Sequence, residues 1–124
     1  PGEMIRAVHV PVATADTRAV FDELARRRGD YALVGAGVNA SVHGERIEQI
    51  RIAFLSVGAT PVRARRVEEL LTGTSLTPET IRLAQEALDL DLDPPGDEHT
   101  PAEMRLHLAR VLLGRLLGRL GTSS

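Results

Sequence analysis

The chain of 124 residues contains no cysteine, no lysine and no tryptophan, and only 2% of it is aromatic. Without cysteine its own residues can build no disulfide, no thiolate zinc or iron–sulfur site, and no thiol nucleophile. All 15 basic residues are arginine, so Schiff-base chemistry and a phosphate-loop lysine are excluded as well. No apolar run approaches the roughly 18 residues that would suggest a membrane span. Charge of one sign is also missing: 15 basic residues face 17 acidic ones, for a net charge of -2 and a pI near 6.1. That balance offers no global basic field to nucleic acid or an anionic membrane. The 43% hydrophobic and 26% charged content fits a soluble globular chain of single-domain size. No signal peptide is visible, and Pro1 is followed at once by a strand-like segment, so the sequence reads as cut from something longer, in a cytoplasmic setting.

Within these bounds the alternation of apolar residues is informative. Met4 to Val10 reads as a short strand ended by Pro11. From Asp16 to Arg28 the pattern predicts a helix: Val20, Phe21, Leu24 and Ala25 form a stripe, Arg26 to Arg28 complement a helix C-terminus, and Gly29 supplies a left-handed stop. Ala32, Val34, Ala36, Val38, Ala40 and Val42 then alternate without a break and predict a strand with one thin apolar face, which a helix can approach closely. His43-Gly44-Glu45 makes the turn, and Arg46 to Val57 returns with Ile50, Ile52 and Phe54 on one face. Ala53, Leu55 and Val57 fill the other face, so this strand is expected to be buried on both sides.

Thr60-Pro61 turns the chain toward a helix that contains Val67, Leu70 and Leu71 and stops at Gly73. Thr77-Pro78 begins another, with Ile81, Ala84, Ala87 and Leu88 facing inward. After an acidic loop from Asp89 to Glu98, Thr100-Pro101-Ala102-Glu103 reads as a capping box opening a final helix to about Leu120. Met104, Leu108, Val111, Leu112, Leu116, Leu117 and Leu120 are too many for one narrow stripe and suggest two packed neighbours. The expected fold class is α+β: an antiparallel three- to four-stranded sheet against a helical layer, in the order helix, strands, then three helices. One domain spans residues 1–120, with residues 1–12 as a lead-in strand and 121–124 as a disordered tail.

Several motifs invite chemistry. Gly35 to Ala40, GAGVNA, fits a dinucleotide-binding pattern. That mechanism needs a helix launched just beyond the first glycine, and here the period of two runs on to Val42, which favours glycines in a strand where another backbone comes close. Asp89, Asp91 and Asp93 alternate as in a calcium loop, but Pro94 and Thr100 stand where that loop needs glycine and glutamate. His99, Glu103 and His107 lack the order of a zinc-protease helix. Arg63, Arg65 and Arg66 sit at a helix start, where cations are mildly unfavourable, and a carboxylate surface on another domain or subunit would explain them. No catalytic residue and no metal site is assigned.

FDELARRRGDYALVGAGV resembles the most recognisable block of the C-terminal domain in the FAD-binding (medium) subunit of the molybdenum hydroxylases, the family of carbon monoxide, xanthine and aldehyde dehydrogenases. PGEMIRAVHVPV resembles the family's lead-in strand, IRIAFLSVGATPVRARRVEELLTG its next strand with a Gly-x-x-Pro-x-Arg-Ala exit, and HTPAEMRLHLARVLLGRLL its last helix. The blocks occur in family order over nearly the whole chain.

The resemblance implies a domain of a multi-subunit oxidoreductase that is not catalytic alone. It would pack on an FAD-binding region which holds most of the cofactor. The flavin would take electrons from iron–sulfur clusters on a small subunit, fed by a molybdenum cofactor on a large one, where the substrate is chosen. It implies Met4 and Ile5 as an apolar wall beside the flavin, and in some relatives a lysine near FAD at the position of Asp22. Arg28, Gly29, Asp30 and Ala32 are structural in this reading, with Asp30 bonding turn amides. Two rivals stay open: a stand-alone protein-interaction domain of the same fold with no redox role, and a small nucleotide-binding domain using Gly35 and Gly37.

Overall fold

The structure, a computed structural model, describes residues 2–27, 29 and 31–122. Four antiparallel strands lie in chain order: β1 (Thr17–Leu24), β2 (Val34–His43), β3 (Arg46–Leu55) and the two-residue β4 (Val62–Arg63). Three helices follow, α1 (Arg65–Leu71), α2 (Pro78–Ala87) and α3 (Ala102–Thr122), with one 3-10 turn at Leu88–Leu90. The class is the expected α+β sheet against a helical layer. Its order differs, because the segment expected to be the first helix is β1 and the expected lead-in strand at residues 4–10 has no regular structure.

Both differences have one cause. Read with a period of two, Val20, Asp22 and Leu24 share a face, as do Ala19, Phe21 and Glu23, and either period suits so short a segment. β2 is a central strand whose amides need partners on both sides. Pairing from Thr17↔Ser41 to Leu24↔Val34 supplies them on one side and β3 on the other. The ladder outweighs the helical stripe.

The inner face of the sheet is the core. Val34, Ala36, Val38, Ala40 and Val42 of β2 are buried, and their small side chains let α3 lie close over β2 and β1. Ile50, Ile52 and Phe54 of β3 share that face as expected. Ile47 has the opposite parity yet is fully buried, because the register slips between Ser41 and Val42 so that Glu48 is an extra residue on β3. Such a bulge turns an odd-numbered side chain back to the core. The hairpin closes at Gly44, whose φ of 64° suits glycine.

Helices α1 and α3 meet this face and bury Val67 and Leu71 of α1 and Ala109, Leu112, Leu113, Leu116, Leu117 and Leu120 of α3, while α2 packs on those two helices and adds Ala84 to the same core. Fully burying one such leucine is worth about 1.5–3 kcal/mol. Met104, in the predicted stripe, is instead 52% exposed. Helix α3 also differs at both ends. Its first turn bonds from the Arg105 N–H to the Pro101 carbonyl, which makes Pro101 the capping residue and leaves the predicted Thr100 box one position out of register. At the far end Gly121 and Thr122 are helical rather than tail, while Ser123 and Ser124 lie outside the described residues. Helix α2 begins as predicted, with the Thr77 hydroxyl accepting from the Thr80 N–H and the Thr80 hydroxyl from the Thr77 N–H. No helix among the described residues is long and apolar enough to cross a membrane.

Candidate functional site

Two surfaces lack the cover that the rest of the chain has. The first is residues 2–14, without regular structure and exposed throughout, with Met4 89% and Ile5 84% accessible and Val8, Val10 and Val12 bare beside them. The second is the outer face of the sheet. Cross-strand register aligns Phe21, Gly37, Ala53 and Arg63 in one row, Ala19, Asn39 and Arg51 in the next, and Glu23, Gly35 and Leu55 on the other side. Phe21 is 58% exposed and Leu55 37%. The expectation that β3 is buried on both faces therefore fails: Val57 is buried, but it lies past the strand end, and Leu55 keeps 37% of its surface exposed.

The glycines of GAGVNA lie inside β2, and the strand continues to His43, so no helix N-terminus is formed there for a pyrophosphate. A Cβ at Gly35 would touch the Leu55 and Glu23 side chains, and one at Gly37 would sit 3.7 Å from the Phe21 ring. It is side chains of the flanking strands, rather than another backbone, that approach these glycines.

Charged residues that invited functional readings hold the fold together. Glu68, buried on α1, accepts from the Ile52 N–H at 2.9 Å and from Arg63 Nε and Nη2 at 2.7 and 2.6 Å. Since β4 is only two residues long, this carboxylate continues the ladder along the edge of β3. Desolvation pushes the Glu68 carboxyl up, but the Arg63 guanidinium, the Ile52 amide and the charges of Arg63 and Arg65 together hold it below its ordinary 4.5. The Asp91 carboxylate accepts from the Arg66 and Val67 N–H groups, capping α1 from 24 residues away. The arginines at the start of α1 thus have carboxylates of this chain beside them, and for Arg63 no outside partner is needed. Asp89 forms a two-pronged pair with Arg110. Asp89 and Asp91 of the acidic loop are spent on these contacts, and no metal-holding group of three ligands occurs among the described residues.

At the start of α3, buried Arg105 donates Nη1 to the carbonyls of Leu33 and Ser56 and Nη2 to Asp97. Ser56 is left-handed, with φ 66°, a conformation uncommon for a residue with a side chain. Asp97 in turn accepts from the His99 and Thr100 N–H groups, which hold it below the usual carboxylate range. Arg26 donates to the His99 carbonyl. This cluster pins α3 to the ends of β2 and β3. The long-range contacts of the two arginines carried no spacing signal, because these partners lie up to 74 residues away. Arg28 and Asp30 fall outside the described residues, as does the expected bonding of Asp30 to turn amides; Gly29 has the predicted positive φ, at 85°, but after a strand. Asp22 lies on β1, not on a helix, and points to Arg119 at 2.8 Å. The Glu23 N–H and Arg119 lower its pKa. Met4 and Ile5 stand 89% and 84% exposed, with no hydrogen-bonded or charged group gathered at them among the described residues.

Comparison with known proteins adds what the surfaces alone do not. The CO dehydrogenase flavoprotein C-terminal domain family matches residues 19–120. The chain is 33% identical over 120 residues to the 6-hydroxypseudooxynicotine dehydrogenase complex subunit alpha of Paenarthrobacter nicotinovorans, covering 96% of this chain and 40% of that protein. It is 30% identical to the carbon monoxide dehydrogenase medium chain of Afipia carboxidovorans, covering 96% and 41%. In structure it is similar to carbon monoxide dehydrogenase from Hydrogenophaga pseudoflava lacking the Mo-pyranopterin moiety of the molybdenum cofactor, with a TM-score of 0.83, 30% identity, and 90% and 39% coverage. The chain thus spans about two fifths of the length of the relatives it matches.

Proposed function

The chain belongs to the CO dehydrogenase flavoprotein C-terminal domain family, and from that membership we propose that it serves as the C-terminal domain of the FAD-binding, medium subunit of a molybdenum-dependent oxidoreductase. In this reading it packs on the FAD-binding region and supports electron transfer from iron–sulfur clusters to FAD. Those clusters and the molybdenum cofactor reside on small and large partner subunits, in a cytoplasmic complex. The observation that carries the reading is the match over residues 19–120, together with relatives named as medium chains.

The residues present suit a supporting role toward the cofactor. Met4 and Ile5 are adjacent, apolar and bare, the qualities of a wall beside a flat, largely apolar ring. When bound, FAD would supply the electron acceptor; this chain's contribution is to exclude water from one side of it. Holding the pyrophosphate falls to residues outside the chain, since Gly35 and Gly37 are committed to a strand.

The test joins the chain to an FAD-binding region of a medium subunit and measures flavin absorbance that co-elutes with protein on gel filtration. One bound flavin per chain is the expected result. A folded, completed subunit that stays colourless with excess FAD overturns the proposal.

A further inference from the structure

The outer face of the sheet carries four features that the chain itself does not account for. Phe21, on the edge strand, is more than half exposed. Beside it a shallow depression of about 330 Å3 opens over Gly37, between Asn39, Arg51, Ala53 and Arg63. Gly37 is the third feature. A glycine inside a central strand weakens it unless something must come close, yet a Cβ here would meet only an ordinary contact, 3.7 Å from Phe21. Alanine would fit this chain, so no contact within it accounts for the missing side chain. Arg51, exposed on the same face, has no acid paired with it among the described residues.

We infer that this face is a docking surface on which the rest of the same medium subunit sits, placing an apolar side chain over Gly37 beside Phe21 and a carboxylate toward Arg51. The inference rests on the medium-subunit reading above and adds the face by which the domain is held. Two observations select the occupant. The relatives carry about three fifths of their length beyond the part that this chain matches, so in those proteins a large body belongs to the same polypeptide as the matched domain. The bare segment 2–14 runs directly into β1, joined to it by the Thr17 N–H to Thr14 carbonyl bond, and β1 is the strand that bears Phe21. A body that covers that segment is therefore next to the start of β1.

The chain's lack of cysteine makes the test direct. Ala53→Cys and Asn39→Cys each place one thiol on the outer face, and two positions guard against a variant that fails to fold. Maleimide labelling is followed by mass spectrometry of the peptide that carries the thiol, scaled to the rate in guanidinium. The 124-residue chain is compared with the completed subunit, and bound FAD is measured on the same samples. The expected result is slowing by roughly tenfold or more in the completed subunit, a protection equivalent to about 1.4 kcal/mol. Equal labelling in both overturns the inference. Protection that appears only after the iron–sulfur or molybdenum subunit is added overturns it too, by giving the face to another chain. Slowing that grows with the concentration of the 124-residue chain alone gives the face to a second copy and likewise overturns it. FAD bound with the thiols reactive sinks the docking face alone; thiols protected without FAD sink the flavin reading alone.

Discussion

The two faces of one sheet behave as different materials. On the inner face, Val34, Ala36, Val38, Ile52 and Phe54 are buried on the side where α1 and α3 of the same chain pack. On the outer face, one residue away along the same strands, lie Gly35, Gly37, Asn39, Arg51 and Leu55, with nothing from this chain on top of most of them. Because side chains alternate, a single strand can serve the fold with one parity and a partner with the other. Stability belongs to the first set. The second set is free to be chosen for association, which explains how glycine and an exposed phenylalanine are tolerated side by side.

The largest expected effect breaks the inner face. Phe54→Ala should cost about 3–5 kcal/mol in urea unfolding of the 124-residue chain, since the ring is fully buried between sheet and helices; a loss under about 1 kcal/mol would mean that the core is not where the structure places it. Next comes the edge of the sheet. Glu68→Ala leaves the Ile52 N–H and Arg63 without their acceptor and should cost about 2 kcal/mol. The intact residue should also make the fold acid-sensitive. Its folded pKa lies below the ordinary 4.5, so its contribution is present above that value and is lost as pH falls through the folded pKa. Unfolding midpoints measured from pH 6 down to pH 3 should therefore fall less steeply in Glu68→Ala than in the parent. The smallest effect has the opposite sign. Gly37→Ala should stabilise the 124-residue chain by about 0.5–1 kcal/mol, and destabilisation there would show that the outer face is already packed by this chain.

Those contrasts follow which parts of the molecule were legible in its residues. β2 was plain because its unbroken alternation admits one period, and β3 because Ile50, Ile52 and Phe54 continue that period after the turn. Helices α1 and α2 and most of α3 were plain as well, with Thr77-Pro78 and Gly73 marking ends that the structure keeps. Phe21 misled, since beside Val20 and Leu24 it completes a helical stripe that is meaningless once β2 is present to pair. Of the candidate flavin wall, Met4 and Ile5 are simply bare, and family likeness alone singled them out from Val8, Val10 and Val12.

The local pattern of residues determined the central hairpin, the helical cover and the exclusion of thiol and lysine chemistry, because each depends on neighbours within a few positions or on composition alone. Tertiary structure decided that Thr17–Leu24 is a strand, that Glu48 bulges to turn Ile47 inward, and that Glu68, Asp91 and Arg105 are fasteners rather than sites. Each of these is settled by an unpaired amide, carbonyl or charge elsewhere in the chain that must find a partner once water is gone.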